Sequence, residues 1–195
     1  MTTTADGTAG LTRRQTELLD QLEALFLAEG FARFTLDDLA ARLHCSKSTL
    51  YALAGSKEQL ALRVVRHFFR KATEAVEAQT GRETDPGLRV VAYLSAVARA
   101  LAPAGAAFHR DLDAFGPGRE TYERNTALAA DRVRQLLAEG VAQGRFREVH
   151  PALVADTVTT LMLRIGRGET ARATGVDDAT AYRELAALLL HGISV

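Results

Sequence analysis

The chain has 195 residues, of which 47% are hydrophobic and 25% are charged. This length fits one domain or two small ones, and this composition excludes a mainly disordered or collagen-like chain. The 24 basic and 24 acidic residues give a formal net charge of zero, so attraction to nucleic acid or to a membrane requires local clustering of charge.

Cysteine usage and hydropathy indicate the compartment. The single cysteine, Cys45, cannot form an intrachain disulfide, which favours a reducing environment. No apolar run reaches the roughly 18–20 residues that cross a bilayer, and residues 1–10 lack the charged-then-apolar order of a signal peptide. We therefore expect a soluble, cytoplasmic protein. The five histidines show no metal-ligand spacing, so we expect no metal and no other cofactor.

Apolar residues recur at intervals of three and four along nearly the whole chain, a period typical of α-helices. We predict an all-α protein of about nine helices, several of which begin after a side chain that can cap them. The first follows Thr12 and ends at Gly30, and the others cover 36–43, 47–53, 57–79, 86–102, 106–115, a stretch from beyond Gly118 to 143, 151–165, and a stretch from a cap at Asp177 or Asp178 to about 191.

The stretch from Thr35 to Tyr51 predicts two short helices joined by a tight turn, which is typical of a helix-turn-helix motif. Helices this short are not stable alone in water, so their leucines must pack against the first and fourth helices. The second short helix opens with polar side chains that suit phosphate oxygens and base edges in a major groove of DNA. They are Ser46, Lys47, Ser48 and Thr49.

Charge is clustered around this motif. Residues 42–71 include seven basic residues and one acidic residue, Glu58, so this stretch can face phosphates. We expect the acids of the first helix and the following turn to point away from DNA, Asp37 and Asp38 among them. Two interpretations, a phosphate contact or a solvated helix face, stay open for Arg63, Arg66 and Arg70.

These residues resemble the TetR-type (TetR/AcrR) family of transcriptional regulators. The similarity runs from Phe26 through residues 35–40 and 46–51 to residues 56–60. The resemblance implies an N-terminal three-helix helix-turn-helix DNA-binding domain, residues 1–56, and a C-terminal helical domain for effector binding and dimerisation, residues 57–195. It implies phosphate contacts for Thr35, Tyr51 and Lys57, and a place in the groove for Lys47 and Thr49.

Two pairs of residues depart from the family pattern. The family usually has Gly-Val where this chain has His44 and Cys45, and Phe-Pro where it has Ala54 and Gly55. His44 must then adopt a left-handed backbone conformation, which histidine tolerates better than most residues. Cys45 is expected to fill an apolar position, because no arrangement typical of a nucleophilic cysteine surrounds it in the sequence.

The second half of the chain carries less specific patterns. By the resemblance, helices four to seven form a chamber for a small hydrophobic or aromatic ligand, although each aromatic side chain is also explained as plain core. The candidate ligand-binding residues are Phe68, Tyr93, Phe108, Phe115 and Tyr122. The last two helices carry broad apolar stripes that suggest a homodimer interface, namely Val154, Val158, Leu161, Met162, Ile165, Tyr182, Leu185 and Leu189.

The sequence thus predicts a homodimeric, DNA-binding transcriptional regulator and not an enzyme. A repressor that a small ligand releases from a pseudo-palindromic operator is the main hypothesis, with the fourth helix, from Lys57 through Phe68, linking the two functions. Two alternatives stay open: a DNA-binding dimer that is ligand-independent or regulated by a protein, and a small helical enzyme, for which no catalytic motif is legible.

Overall fold

The computed structural model describes residues 11–194, apart from the side chains of residues 178 and 179. The first ten residues, where we predict no signal peptide, lie outside the described part. Ten α-helices form the described part, which confirms the all-α prediction. They are α1 (Arg13–Glu29), α2 (Leu36–Arg42), α3 (Lys47–Tyr51), α4 (Lys57–Thr80), α5 (Pro86–Leu101), α6 (Ala106–Ala114), α7 (Gly116–Ala142), α8 (Pro151–Gly166), α9 (Glu169–Thr174) and α10 (Asp178–Ile193).

Side-chain caps fix the helix starts of the N-terminal half, as the sequence predicts. Thr12, Thr35, Ser46 and Ser56 each accept a hydrogen bond from the third backbone amide of the helix that follows, and Asp85 does the same for α5. These oxygens satisfy amides that the first turn of a helix leaves without a partner. The chain is therefore divided where the capping residues stand.

Several helix boundaries differ from the prediction by one or more residues, and two of these differences affect how side chains pack. α3 ends at Tyr51, and the chain continues as a turn in which Leu53 is buried. α7 begins at Gly116 because Pro117 is tolerated in the first helical turn, where the amide that proline lacks has no intrahelical partner. Gly118 then lies inside the helix, at a place where a Cβ would collide with neighbouring side chains.

The helix that the sequence does not predict is α9, and it brings the number from about nine to ten in the described part of the chain. It has six residues and lies between Gly168 and Gly175, whose φ angles are +68° and +75°. Glycine adopts this left-handed conformation readily, so glycines at both ends favour a loop in the sequence. None of its residues is buried, which explains why no apolar period marks it.

The buried side chains form two clusters. The first core joins α1, α2, α3, α6, the first half of α4 and the start of α7, and it includes Phe26, Leu39 and Leu50. The second core joins the end of α4 to α5, α7, α8 and α10, and it includes Leu137 and Ile165. α4 belongs to both, and its 24 residues span roughly 36 Å. The domain boundary expected between residues 56 and 57 stays a prediction.

None of the helices in the described part of the chain is long and apolar enough to cross a bilayer by itself. Helices α5 and α6 meet the length and composition requirement only as a pair, and that pair is bent by 87°.

Gly140 provides a test of the second core. It lies in α7 against the buried ring of Phe146, and a Cβ at this position would be 2.1 Å from Cδ2 of that ring. We expect Gly140→Ala to lower the free energy of unfolding by about 1–3 kcal/mol, because the ring has no free space to move into. Urea denaturation measures this change.

Gly192→Ala is the matched control, since Gly192 also lies inside a helix but has open space at the Cβ position. This substitution should raise the free energy of unfolding by up to about 1 kcal/mol through helix propensity. Equal responses of the two variants would show that the ring of Phe146 does not constrain α7.

Candidate nucleic-acid interface and internal cavity

One side of α3 and of the turn that follows it is packed into the first core through buried leucines. Leu50 and Leu53 are 1% and 2% exposed, and they share the first core with Leu39 of α2. A five-residue helix is not stable alone, so this burial fixes both its existence and its orientation. The opposite side of the helix faces solvent and carries Lys47, Ser48 and Tyr51, with Ser46 exposed at its start.

Three hydroxyl groups at the start of α3 are hydrogen-bonded to one another. Oγ of Ser46 lies 2.7 Å from Oγ of Ser48 and 2.8 Å from Oγ1 of Thr49. The Ser46 hydroxyl also accepts a hydrogen bond from the Thr49 amide at 3.2 Å. Because a hydroxyl both donates and accepts, this cluster can bind phosphate oxygens as well as base edges.

Lys47 is paired with an acid of α2. Its Nζ lies 2.6 Å from Oδ1 of Asp37, and this hydrogen bond raises the pKa of the lysine. From the sequence we expect Asp37 to point away from DNA, but its carboxylate lies against Lys47, the first residue of α3. Asp38 instead accepts hydrogen bonds from the amide and the hydroxyl of Thr35, at 2.8 and 2.6 Å, and so caps α2.

The remaining predicted DNA contacts flank α3. Tyr51 is 52% exposed at the end of the helix. Nζ of Lys57 donates a hydrogen bond to the carbonyl of Ala32 at 2.7 Å, which joins the start of α4 to the turn after α1. The guanidinium of Arg42, at the end of α2, is paired with Glu29 at 2.7 Å. The predicted set therefore lies at the starts of α2, α3 and α4, with Tyr51 at the end of α3.

The turn between α2 and α3 has the conformation that the sequence predicts. His44 has a φ angle of +49°, which confirms the left-handed position where the family usually has glycine. Cys45 is partly buried and packs against the first core. Burial raises the pKa of the Cys45 thiol, so the group is protonated at neutral pH and is not an activated nucleophile.

An ion-pair network that the sequence analysis does not predict joins α1 to α4. Nζ of Lys71 donates to Oδ1 of Asp20 at 2.8 Å and to Oε1 of Glu23 at 3.1 Å. Nε2 of the buried His67 lies 2.9 Å from the same oxygen of Asp20. Two hydrogen bonds lower the pKa of Asp20, and the one from Lys71 has a larger effect than the one from His67. Lys71 thus serves a protein contact between helices.

Asp20, Glu23 and His67 also lie close enough together to hold a metal ion. However, a guanidinium nitrogen of Arg70 lies 3.1 Å from Nδ1 of His67, and guanidinium groups only donate. Nδ1 is therefore the acceptor, and Nε2 carries the ring proton towards Asp20. In this tautomer Nε2 has no lone pair for a metal, and Lys71 already pairs with both carboxylates. The arrangement is that of a structural ion-pair network.

The three arginines left open by the sequence have different surroundings. Arg70 is paired with Glu74 at 2.8 Å and contacts His67. Arg63 donates a hydrogen bond to the carbonyl of Leu53, at the end of the α3 turn. Arg66 is exposed on α4. Arg70 and Arg63 are therefore engaged with groups of the protein itself. For Arg66, a phosphate contact and a solvated helix face both stay open.

A cavity of about 150 Å³ lies between α4, α5, α7 and α8. Of the five predicted ligand-binding residues, Tyr93 and Tyr122 line it. Phe68, Phe108 and Phe115 do not line it and pack in the first core instead. The reason is that α6 lies against α1, where the ring of Phe108 is 5.9 Å from that of Phe68.

Other residues of the lining were missed. Phe69 faces the cavity in place of its neighbour Phe68, and a sequence alone offers no means of choosing between two adjacent aromatic residues on one helix. Glu77 and Arg132 lie at the cavity and form a two-pronged ion pair, in which Nε and Nη2 of the arginine are 2.9 and 3.0 Å from the carboxylate oxygens. These two residues are 55 positions apart, so no local motif announces their contact.

A carboxylate joins α6 to the turn after α1. Oδ2 of Asp111 accepts hydrogen bonds from the amides of Phe31 and Ala32, at 2.5 and 2.7 Å. Gly30 precedes these amides with a φ angle of +75°, and a Cβ there would lie 2.5 Å from the same oxygen. The close approach of Asp111 therefore requires glycine at this position. This contact, which the sequence analysis does not identify, is called the α6 clamp below.

The predicted dimerisation residues divide into two groups. Five of the eight belong to the second core of the subunit itself: Val158, Met162, Ile165, Tyr182 and Leu185. The other three, Val154, Leu161 and Leu189, are partly exposed. Leu153 and Leu188, which the sequence analysis does not select, are 64% and 71% exposed on the same two helices.

Comparison with protein families places the helix-turn-helix in a known group. Residues 18–64 match the family model of the bacterial regulatory proteins of the tetR family. The chain is also 25% identical over 181 residues to the HTH-type transcriptional regulator YfiR of Bacillus subtilis, and this similarity covers 87% of the chain and 84% of that protein. The matched residues contain α2, α3 and the start of α4.

Solved structures share the fold over nearly the whole chain. A transcriptional regulator from Saccharomonospora viridis, crystallised with choline, superposes with a TM-score of 0.78 at 17% identity, covering 93% of this chain and 98% of that one. A TetR/AcrR regulator from Thermobifida fusca gives 0.68 at 24% identity, with coverages of 93% and 98%. A TetR regulator from Chloroflexus aurantiacus gives 0.74 at 22% identity, with coverages of 94% and 100%.

The α6 clamp can be tested by stability measurements. We expect Asp111→Ala to lower the free energy of unfolding by about 1–3 kcal/mol, because two backbone amides of the turn lose their acceptor. Asp113→Ala, an exposed position on the same helix, should change it by less than about 0.5 kcal/mol. Thermal unfolding followed by circular dichroism compares the two, and similar losses would contradict a specific role for Asp111.

Proposed function

Because this chain is a TetR-type DNA-binding transcriptional regulator, we propose that it represses transcription as a homodimer and that a small ligand releases it from its operator. As such it would act in the cytoplasm and would have no catalytic function. The DNA contacts would come from Thr35, Ser46, Lys47, Ser48, Thr49, Tyr51 and Lys57.

One observation carries the DNA-binding part of this proposal. The polar side of α3 is exposed while its leucines are buried, inside the region that matches the family model. In a helix-turn-helix, the second helix enters the major groove with its N-terminal residues against the base edges. Lys47 and Thr49 would lie in the groove, where Thr49 faces bases and the charge of Lys47 attracts the flanking phosphates, and Lys57 would bind a phosphate at the start of α4. This division assigns sequence preference and overall affinity to different residues.

Two copies of α3 are needed for an operator of useful length. In a two-fold symmetric dimer, recognition helices spaced roughly 34–36 Å apart enter successive major grooves, which requires a pseudo-palindromic site. We propose that α8 and α10 form the dimer interface, with Leu153 and Leu188 at its centre. Both leucines are more than half exposed, and their helices pack against each other, so their side chains are available to a second copy of the chain. Val154, Leu161 and Leu189 would contribute their exposed parts.

Two connections can carry a signal from the cavity to the DNA-binding region. α4 lines the cavity through Phe69 and Glu77 and begins at Lys57, so a shift of this helix moves a proposed phosphate contact. α7 also lines the cavity and packs against α6, whose clamp fixes the turn after α1. A ligand that favours the DNA-incompetent dimer by about 1–3 kcal/mol is sufficient for release.

Asp37→Asn tests the electrostatics of the proposed interface. We expect this variant to bind duplex DNA of any sequence about two- to tenfold more tightly, because the carboxylate that competes with phosphates for Lys47 is gone. Fluorescence anisotropy with operator and random duplexes at two salt concentrations measures the effect. Asp113→Asn makes the same change in net charge on α6, and an equal gain for that control would contradict a local role of Asp37.

Thr49→Ala tests base recognition. We expect the variant to lose preference among operator sequences that differ at one or two base pairs, while its affinity for random DNA stays within about twofold of the parent. Tyr51→Phe should weaken binding to all duplexes alike, since it removes only a phosphate contact. If both variants weaken all sequences equally, Thr49 does not read bases. Competition binding with a randomised operator pool distinguishes these results.

A further inference from the structure

The cavity between α4, α5, α7 and α8 restricts the kind of molecule that it can hold. We propose that its ligand is a compact, uncharged molecule, about the size of one aromatic ring, that carries a hydroxyl or carbonyl group. This inference rests on the proposed effector function and specifies the chemical class of the effector.

The volume sets the size of the ligand. The cavity measures about 150 Å³, and an engineered apolar cavity of roughly this volume in another protein holds one benzene molecule. Sites for drug-sized ligands measure about 300–1,000 Å³. Entry is available between α4 and α7, because the lining residues Thr73 and Leu128 are exposed there. A single ring or a short branched chain fits this space, whereas a steroid or a long acyl chain exceeds it.

The charges at the cavity exclude an ionic ligand. Among the described residues that line it, only Glu77 and Arg132 are charged, and they neutralise each other through the two-pronged ion pair. The same guanidinium lies 4.0 Å from Glu139, whose carboxylate is also paired with Arg89. These four groups therefore form a neutral chain of alternating charges.

An anionic ligand would find the positive charge of Arg132 already engaged by the carboxylates of Glu77 and Glu139. A cationic ligand would enter next to the guanidinium, and Glu77, the one acid among the described residues that line the cavity, is already paired with it. In either case the ligand leaves water without gaining a free counter-charge, and burial of an unpaired ion is strongly unfavourable. The attraction of a cation to the rings of Phe69 or Tyr93 is smaller than this cost.

Neutral polar groups remain for a hydrogen bond with the ligand. Tyr122 contributes a phenolic hydroxyl to a lining that is otherwise mostly apolar. Asn125 uses one amide hydrogen on the carbonyl of Thr121 at 2.8 Å, which leaves its oxygen and its second hydrogen. The Tyr93 hydroxyl makes only a long contact of 3.4 Å to the carbonyl of Ala129. Burial raises the pKa of Tyr93 to about 12 and also raises that of Tyr122, so both phenols stay neutral.

Three probes of equal size separate the possible charges. Benzyl alcohol is neutral, benzoate is an anion and benzylammonium is a cation at pH 7.5. We expect the full-length protein to bind benzyl alcohol at least tenfold more tightly than either ion, as measured by ligand-dependent thermal stabilisation over a concentration series. Binding of either ion within tenfold of the alcohol, or no stabilisation by benzyl alcohol, overturns the proposal.

Variants of the ion pair provide a gain-of-function test. Glu77→Gln removes the carboxylate that forms the two-pronged ion pair with Arg132. Benzoate binding should therefore improve at least tenfold, while benzylammonium binding stays weak. Arg132→Gln frees Glu77 and should have the opposite effect, improving benzylammonium alone. A variant that does not fold is recognised by circular dichroism, and the other variant then decides. Unchanged selectivity in a folded variant would show that the pair does not control the charge of the ligand.

Tyr122→Phe tests the polar group. We expect the variant to bind benzyl alcohol several-fold more weakly and to bind toluene as the parent does, because only the alcohol uses the phenolic hydroxyl. Equal effects on both probes contradict that hydrogen bond.

Operator binding in the same samples separates this inference from the proposed function. If the protein binds operator DNA but prefers an ionic probe, the ligand class is wrong and the regulator function stands. If benzyl alcohol binds with the expected selectivity but operator DNA is neither bound nor released, the ligand class stands and the proposed function is wrong.

Discussion

Burial of leucines from two short helices is the constraint on which the DNA-binding half depends. α2 and α3 have seven and five residues, too few to be stable alone, and they exist because Leu39, Leu50 and Leu53 are buried against α1 and α4. The buried leucines of α3 therefore determine which polar side chains the helix exposes to solvent. The same first core contains Phe31 and Phe108, so α6 is packed against the helix-turn-helix and held there by the Asp111 carboxylate.

Charge in this protein is balanced locally as well as in total. Lys71 is paired with Asp20 between α1 and α4, Arg132 with Glu77 at the cavity, and Lys47 with Asp37 at α3. The exposed pairs contribute little to stability, but they determine where a charged partner finds a free counter-charge. In the proposed function, this local balance would let a chain with no net charge bind a polyanion at one surface and a neutral molecule in its cavity.

The sequence predicts the helices well wherever capping chemistry marks them. Thr12, Thr35, Ser46, Ser56 and Asp85 each cap the helix expected of them, because a cap depends only on residues three positions apart. α9 escapes the prediction, since its flanking glycines favour a loop and it has no buried face. Local patterns thus account for most of the secondary structure and for the left-handed turn at His44.

The cavity and the apolar surface of the last helices depend on long-range packing and are predicted less well. Phe108 of α6 packs towards α1, so it belongs to the first core and does not line the cavity between α4, α5, α7 and α8. Apolar stripes on α8 and α10 also do not reveal which side faces the subunit's own core, and this is why Leu153 and Leu188 were missed. The pairings of Asp111 with the turn after α1 and of Glu77 with Arg132 join residues more than 50 positions apart, which no spacing rule reveals.

The cluster of hydroxyl groups on α3 has a consequence for operator evolution. Either oxygen in the Ser46–Ser48 and Ser46–Thr49 contacts can act as the donor, so the direction of these hydrogen bonds can reverse while every heavy atom stays in place. In the proposed DNA complex, the same surface would offer a hydrogen to one base and a lone pair to another. Such a surface would tolerate changes in the target sites, so that several promoters of unequal sequence could come under its control without any change in the protein.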